Sequence, residues 1–269
     1  MKSLRFNALI GAVLIGAVLI LALVASFWTP HAPTKINLAH RFEAPSEQFW
    51  LGTDDFGRDV LSRLMLGART SVTVALSTVL VAFTLGTAIG LIAGQLRGWT
   101  DRVLMSFNDA LLAFPGILLA LGLLAVIGPS QWGIVLALGL AYAPTVARIT
   151  RAQVFSIRER EWVEASRALG NSESFTLLRH VLPHTLSPLT VLATSMFGWI
   201  ILAESSLSFL GLGGPPPAPT WGNMLAGARP HFETAPHLAF IPGLAIAACL
   251  LGANMLGDAL RDRFDPRSQ

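Results

Sequence analysis

Only one cysteine, Cys249, occurs in the 269 residues, and it lies inside an apolar run. A single thiol closes no disulfide and builds no thiolate metal site within the chain. Charge is scarce as well: 13% of residues are charged against 53% hydrophobic, and mean hydropathy is +0.59. A soluble core of this length has no use for so much apolar surface, which moves the chain to the membrane class. The formal net charge is +3 and is not gathered into an aromatic-interleaved patch, so nucleic acid is not an expected partner. No Gly-x-x-x-x-Gly-Lys-Ser/Thr occurs, and without that phosphate cradle the chain is not expected to bind or hydrolyse ATP itself. Gly-x-Ser-x-Gly and His-Glu-x-x-His are missing too. Ser205 and Ser206 have no histidine at predicted membrane depth to serve as a base, which argues against an intramembrane protease.

What is present is a series of apolar runs near 20 residues, the length that crosses a bilayer. They fall at 8–28, 72–94, 104–127, 132–150, 185–211 and 236–258, predicting about six transmembrane helices. Lys2 and Arg5 precede the first run in the charge order of a signal peptide, but no small-x-small cleavage site follows, so it reads as an uncleaved first helix. Pro115-Gly116 and Pro188 mark candidate kinks. Between the first two runs lies a polar stretch whose second half, with Val60, Leu61, Leu64 and Met65 at helical spacing, predicts a short amphipathic helix on the membrane surface. Gly128-Pro-Ser predicts a turn, and Gly213-Gly-Pro-Pro-Pro-Ala-Pro an extended connection. Thirteen of the 19 Lys and Arg residues fall on the side of the N-terminus and six on the other, which predicts both termini in the cytoplasm. The expected organisation is residues 1–29 as cytoplasmic tip and first helix and 30–70 as an outer loop. Residues 71–260 form a core of five spans, with a cytoplasmic loop at 151–184, and 261–269 are a tail.

That cytoplasmic loop is more than a connector. Ile157 to Leu169 is rich in helix formers, with Trp162, Ala165 and Leu169 on one face, and Gly170 suits a left-handed stop. Asn171-Ser-Glu-Ser offers caps for a second short helix, Phe175 to Leu182, ended by Pro183. Two helices about a glycine turn make a compact knob, which physics alone reads equally as a pair of ordinary interfacial helices.

The residue pattern adds a resemblance. Glu164-Ala165-Ser166, three residues, Gly170, nine residues, then His180-Val181-Leu182-Pro183 resembles the EAA loop of bacterial ABC importer permeases. In that family the loop reads Glu-Ala-Ala, three residues, Gly, nine residues, Ile, any residue, Leu, Pro. Ser166 stands for the second alanine and His180 for the isoleucine, while the spacing is kept throughout. Further stretches are similar to the C-type permease subunit of dipeptide and oligopeptide importers. These are Leu51-Gly-Thr-Asp-Asp-Phe-Gly-Arg-Asp, Leu112-Ala-Phe-Pro-Gly, Leu207-Ser-Phe-Leu-Gly-Leu-Gly, Pro215-Pro-Pro with Trp221-Gly-Asn-Met, and Leu256-Gly-Asp-Ala-Leu-Arg-Asp with Asp265-Pro. Together they cover about four fifths of the chain in the family's order.

The resemblance implies an all-α, type I ABC importer permease-like membrane fold. It implies one half of a heterodimeric pore in a bacterial inner membrane, paired with a second homologous permease. Two ATPase subunits that use ATP and Mg would dock on the knob, and an extracytoplasmic substrate-binding protein would deliver cargo. It assigns the coupling role to Glu164, Ala165, Ser166, Gly170, His180, Leu182 and Pro183, and implies no cofactor held by this chain. Peptides are the first cargo it implies; the same subfamily also serves nickel, metal chelates and glutathione. The alternative class, an ion-coupled secondary transporter, calls for intramembrane charge networks and an internal repeat, neither of which is evident.

Glu204 sits within the fifth run, where a carboxylate must face a bundle interior or a water-filled cavity. It either lines the translocation path, with Ser205 beside it, or holds neighbouring helices together. Asp109 and Asp258 near helix ends read as structural anchors, the latter spaced to pair with Arg261. Asn108 and Asn254 are expected to bond across helices. His180 and His184 are four apart, a metal-ligand spacing on an unbroken helix, but Pro183 intervenes and no third ligand is near, so no metal is expected. His231 and His237 are expected to be solvated in an outer loop.

Overall fold

The computed structural model describes residues 2–214 and 218–264. The Pro215-Pro-Pro run, read above as extended, and the tail beyond 264 lie outside the described residues. Long helices dominate: α1 (Lys2–Val24), α2 (Val60–Leu96), α3 (Gly98–Leu112), α4 (Gly116–Ile127), α5 (Gln131–Arg158), α6 (Glu161–Ala168), α7 (Glu173–Thr176), α8 (Leu182–Phe209), α9 (Trp221–Ala228) and α10 (His237–Phe264). Five are long and apolar enough to cross a membrane, and α3 with α4 makes a sixth if that bent pair is one span. Helix starts follow local chemistry. The Asp59 carboxylate accepts the Ser62 amide at 2.8 Å, Ser130 accepts Gly133 N–H at 2.8 Å, and Thr220 accepts Asn223 N–H at 3.1 Å. Each satisfies an amide that the first helical turn leaves free.

The centre of the bundle is the α2–α5 pair. Along α2 the small residues Gly86, Gly90 and Gly94 recur every fourth position, which brings its backbone against Ala143, Ala147 and Val154 of α5. α10 packs between α1 and α8, and α9 lies against α8 and α10.

Three expectations change. The surface helix expected near residues 60–69 is instead the beginning of α2, a single 37-residue helix about 55 Å long at 1.5 Å per residue. Its apolar face covers protein rather than lipid: Val60 and Met65 are buried, and Trp221 Nε1 donates to the Leu64 carbonyl at 3.1 Å. The connection between the first two spans therefore ends at Asp59. The third span is broken rather than kinked, with α3 and α4 at 93°. Pro115 lacks an amide donor and excludes helical geometry from its predecessor, so the chain turns there. Pro183, expected to stop a helix, lies inside one. A π-helical turn over Leu177–Val181 leads from α7 directly into α8, with Pro183 in its first turn, where a missing amide costs nothing.

The Leu51-Gly-Thr-Asp-Asp-Phe-Gly-Arg-Asp motif closes this connection. Asp54 Oδ1 accepts the amides of Phe56 and Arg58, both at 2.9 Å, and its Oδ2 meets Arg58 Nε at 2.7 Å and Arg63 Nε at 3.2 Å. Gly57 has φ +69, and a Cβ there would stand 1.8 Å from the Asn37 carbonyl oxygen, so no other residue fits.

Candidate functional site: a surface knob and a buried carboxylate

At one end of the bundle, α6, α7 and the π turn form the knob. α6 is shorter than the sequence predicts, because α5 runs on to Arg158 and the chain breaks only at Glu159-Arg160. Its inner face is Val163 and Ser166. Val163 joins Val154, Ile157 and Val181 in a small core of its own, flanked by Leu91 and Leu177. Ser166, the departure from alanine, is the internal brace: its Oγ lies 3.1 Å from Thr176 Oγ1 and accepts from Asn171 Nδ2 at 3.1 Å. Gly170 adopts φ +84 as expected, and its amide donates to Arg167 O at 2.9 Å. Nothing lies within 4 Å of a Cβ built there, so its glycine is required by backbone conformation and not by space.

The other departure, His180, fills the isoleucine position with ring contacts, 6.3 Å from Trp162 and 5.9 Å from Phe175 between centroids. His184 stacks on Trp162 at 4.7 Å, and its Nδ1 lies 2.7 Å from the His180 carbonyl oxygen, which commits that nitrogen to the helix backbone. The outward face carries Glu164 and Ala165, with Trp162, Leu169, Phe175 and Leu178 exposed around them, and Leu169 is 82% accessible. Leu182 is half-buried and Pro183 exposed. The Trp162, Ala165 and Leu169 face read from helical spacing thus points outward. The knob thus presents an exposed apolar patch on a helix braced from within.

Charged residues that sequence reasoning passed over root the knob in the bundle. Arg158 Nη1 donates to Gly94 O and Gln95 O at the end of α2, and Glu173 joins Gln95 to Arg167. Asp101, also passed over, forms a two-pronged pair with Arg151. Asp109 pairs with Arg148 at 2.5 Å, which anchors it, and Asn108 Nδ2 donates to Pro144 O at 3.1 Å, across helices as expected. Asp258 and Arg261 form no pair; both are exposed, where water competes for each charge. Asn254 makes no side-chain hydrogen bond among the described residues. His231 packs edge-on against Phe42 at 4.8 Å, and both His231 and His237 are half-buried rather than solvated.

Toward the opposite end, Glu204 of α8 is fully buried. Ser208 Oγ donates to its Oε1 at 2.7 Å, and Ser71 of α2 and Ser205 donate to Oε2 at 3.1 and 3.4 Å. The carboxylate is enclosed by hydroxyls from α8 and α2 and stands apart from the adjacent cleft of about 520 Å³, which Leu202, Ser205, Ser206, Phe209, Leu225 and Ile246 line. Of the two readings of Glu204, the geometry matches helix-to-helix bonding; Ser205 alone reaches a cavity wall. The small residues of the Leu207 to Gly213 and Trp221-Gly-Asn-Met motifs enable this closeness: a Cβ on Gly222 would stand 2.3 Å from Ser205 O.

A bundle of apolar helices long enough to cross a membrane, with a braced knob at one end, is the architecture of a polytopic membrane protein. The chain belongs to the family described as binding-protein-dependent transport system inner membrane component, matched over residues 86–269. It is 39% identical over 268 residues to the dipeptide transport system permease protein DppC of Alkalihalophilus pseudofirmus, covering 99% of this chain and 88% of that one. Against a putative peptide transport system permease protein of Brucella suis it is 41% identical over 258 residues, covering 96% and 87%. Against the glutathione transport system permease protein GsiD of Pectobacterium atrosepticum it is 39% identical over 261 residues, covering 95% and 87%. In fold it is similar to the MetNI methionine ABC transporter in inward-facing conformations, with TM-score 0.61 and 16% identity over 76% of this chain and 97% of that one. The chain is a multi-pass membrane permease subunit of an ABC importer, and ATP hydrolysis belongs to separate ATPase subunits.

Proposed function

We propose that this chain forms one half of a heterodimeric pore in a bacterial inner membrane and that its knob, residues 161–183, docks on an ATPase subunit. The observation that carries the reading is the outward face of Glu164, Ala165, Trp162 and Leu169 on a helix braced from within by Ser166. Both termini then lie in the cytoplasm with the knob, and the loop closed by Asp54 faces outward toward a binding protein. Closure of two ATPase subunits over ATP and Mg displaces the knob, and a braced helix transmits that displacement where a flexible loop would absorb it. Gly170, His180, Leu182 and Pro183 hold the knob's shape, while Glu164 and Ala165 meet the motor. Di- and oligopeptides are the proposed cargo, because relatives named for dipeptide and peptide transport align over nearly the whole chain. Glutathione is the second reading, on the equally long match to the glutathione permease.

Gly170→Val tests the knob. A β-branched residue at φ +84 costs about 1–2 kcal/mol, a factor of roughly 5 to 30. Affinity purification of the chain is expected to bring down a second permease and two ATPase subunits, and the variant is expected to lose at least fivefold of the ATPase. Unchanged recovery would remove the docking role of the knob. Cargo is decided by uptake in proteoliposomes loaded with ATP, comparing a labelled dipeptide with glutathione; uptake of neither, or uptake driven by a proton or sodium gradient without ATP, overturns the peptide reading.

A further inference from the structure

The knob hangs between α5 and α8 in sequence, yet its base is also bonded to a third helix, α2. The last carbonyls of any helix have no intrahelical partner, and at the end of α2 two of them are claimed from outside. Arg158 Nη1 donates to Gly94 O at 2.9 Å and to Gln95 O at 3.0 Å. Next to it, Arg97 Nη2 donates to Glu159 at 2.8 Å. Glu173 accepts from Gln95 Nε2 on α2 while accepting from Arg167 of α6 at 2.8 and 3.2 Å, so one carboxylate spans knob and bundle. Leu91 of α2 packs on the knob's own apolar core, and Gly94 is so close to Val154 that an added Cβ would stand 2.7 Å from it.

The same helix carries this junction to the other end of the molecule. Ser71 of α2 donates to Glu204 at 3.1 Å, Trp221 of α9 donates to Leu64 O, and Asp59 caps its first turn. From Gly94 to Leu64, α2 spans about 45 Å at 1.5 Å per residue without a break.

We propose that α2 is the arm driven by the knob, and that Arg158 and Glu173 are positioning residues that make the end of α2 part of the knob's base, so that motion imposed on the knob is delivered to the Glu204 cage and α9. The proposal rests on the reading of the knob as the motor's docking site. The Arg158 Nη1 amino group, with its two hydrogens, holds two carbonyls at once, a contact that a side chain without a donor at that reach does not supply.

The complete transporter in proteoliposomes tests it, with the ratio of labelled dipeptide imported to ATP hydrolysed as readout, or glutathione if that is what the wild type imports. Arg158→Ala is expected to keep its ATPase subunits and to lower that ratio at least fivefold, with Arg158→Lys recovering part of it. An unchanged ratio overturns the proposal. Should Arg158→Ala fail to assemble, Gln95→Ala, which lies off the knob, is expected to lower the ratio by at least twofold, and an unchanged ratio there overturns it equally. A direct arm uses the double variant Gln95→Cys with Glu173→Cys, joined by a short bis-methanethiosulfonate, which displaces sulfinate to form two mixed disulfides that a thiol reductant cleaves. If the two ends move as one body, the cross-linked transporter keeps at least half its uptake. If uptake falls tenfold and returns on reduction, the knob must part from α2 during the cycle and the proposal is wrong. Loss of ATPase copurification by the wild type would instead remove the docking reading itself, so the two failures are distinct.

Discussion

Gly90→Leu is expected to leave no stably folded protein. A Cβ at this position stands 2.6 Å from the Ala147 carbonyl oxygen, 2.6 Å from Thr150 Cβ and 3.0 Å from the Arg151 amide. Two of those three atoms are backbone, which no rotamer change can move. Overpacking a membrane or soluble core costs about 1–3 kcal/mol when side chains can give way, and more when they cannot. The whole α2–α5 seam must then part, carrying Gly86 and Gly94 with it, because these glycines set one common distance between the two helices. Membrane helices associate through such close packing, since lipid is as apolar as a leucine side chain and gives no hydrophobic drive toward the partner helix. Gly16→Leu in α1, where nothing lies within 4 Å of the added Cβ, is the matched control and is expected to change stability by less than about 0.5 kcal/mol. Thermal retention of the monodisperse peak in detergent distinguishes them. A Gly90→Leu protein with the wild-type midpoint would show that the seam is not closed by these glycines.

Glu204→Leu is expected to destabilise the bundle by about 3 kcal/mol or more, and Glu204→Gln by less than about 1 kcal/mol. Leucine removes the acceptor for Ser71, Ser205 and Ser208 in a place where water does not reach. Serines within helices can turn back to a carbonyl of the preceding turn, which recovers part of the loss but not the bond between α2 and α8. Glutamine keeps a carbonyl oxygen for the hydroxyls, and its amide can donate to one of them after the rotors reorient. Uptake is the second readout. If Glu204 binds helices together, the Gln variant transports at close to the wild-type rate. A Gln variant that folds normally yet loses uptake tenfold would return Glu204 to the cargo path.

The contrast between these two sites shows what could be read along the chain. Gly170 was legible because a glycine between a helical run and a set of capping residues has one common use, and φ +84 confirms it. The spans were legible because about 20 apolar residues in a row have no other place to go. Asp109 is legible as a structural anchor from its place near a helix end and Asn108 as a cross-helix bond from its apolar surroundings, though their partners Arg148 and Pro144 lie 39 and 36 residues away and no local signal names them. Gly86, Gly90 and Gly94 passed unremarked, since a glycine four residues from the next states only that a close approach is allowed. Pro183 misled for a related reason. A proline is tolerated in the first turn of a helix and disruptive further in, and which of these applies depends on the register that the π turn sets.

Membrane embedding, the approximate number of spans, the lack of a Gly-x-x-x-x-Gly-Lys-Ser/Thr motif and the glycine-centred knob follow from the amino-acid sequence by itself, because each depends on run length, on composition or on residues close together in the chain. The continuity of α2 from Val60, the right-angle break between α3 and α4, the hydroxyl cage of Glu204 and the clasp of Arg158 on α2 were decided only by the tertiary structure. Each of these is set by which surface a residue meets. An apolar stripe is the same whether it faces lipid or Trp221, and a buried carboxylate has the same neighbours in sequence whether a hydroxyl from another helix closes on it or not.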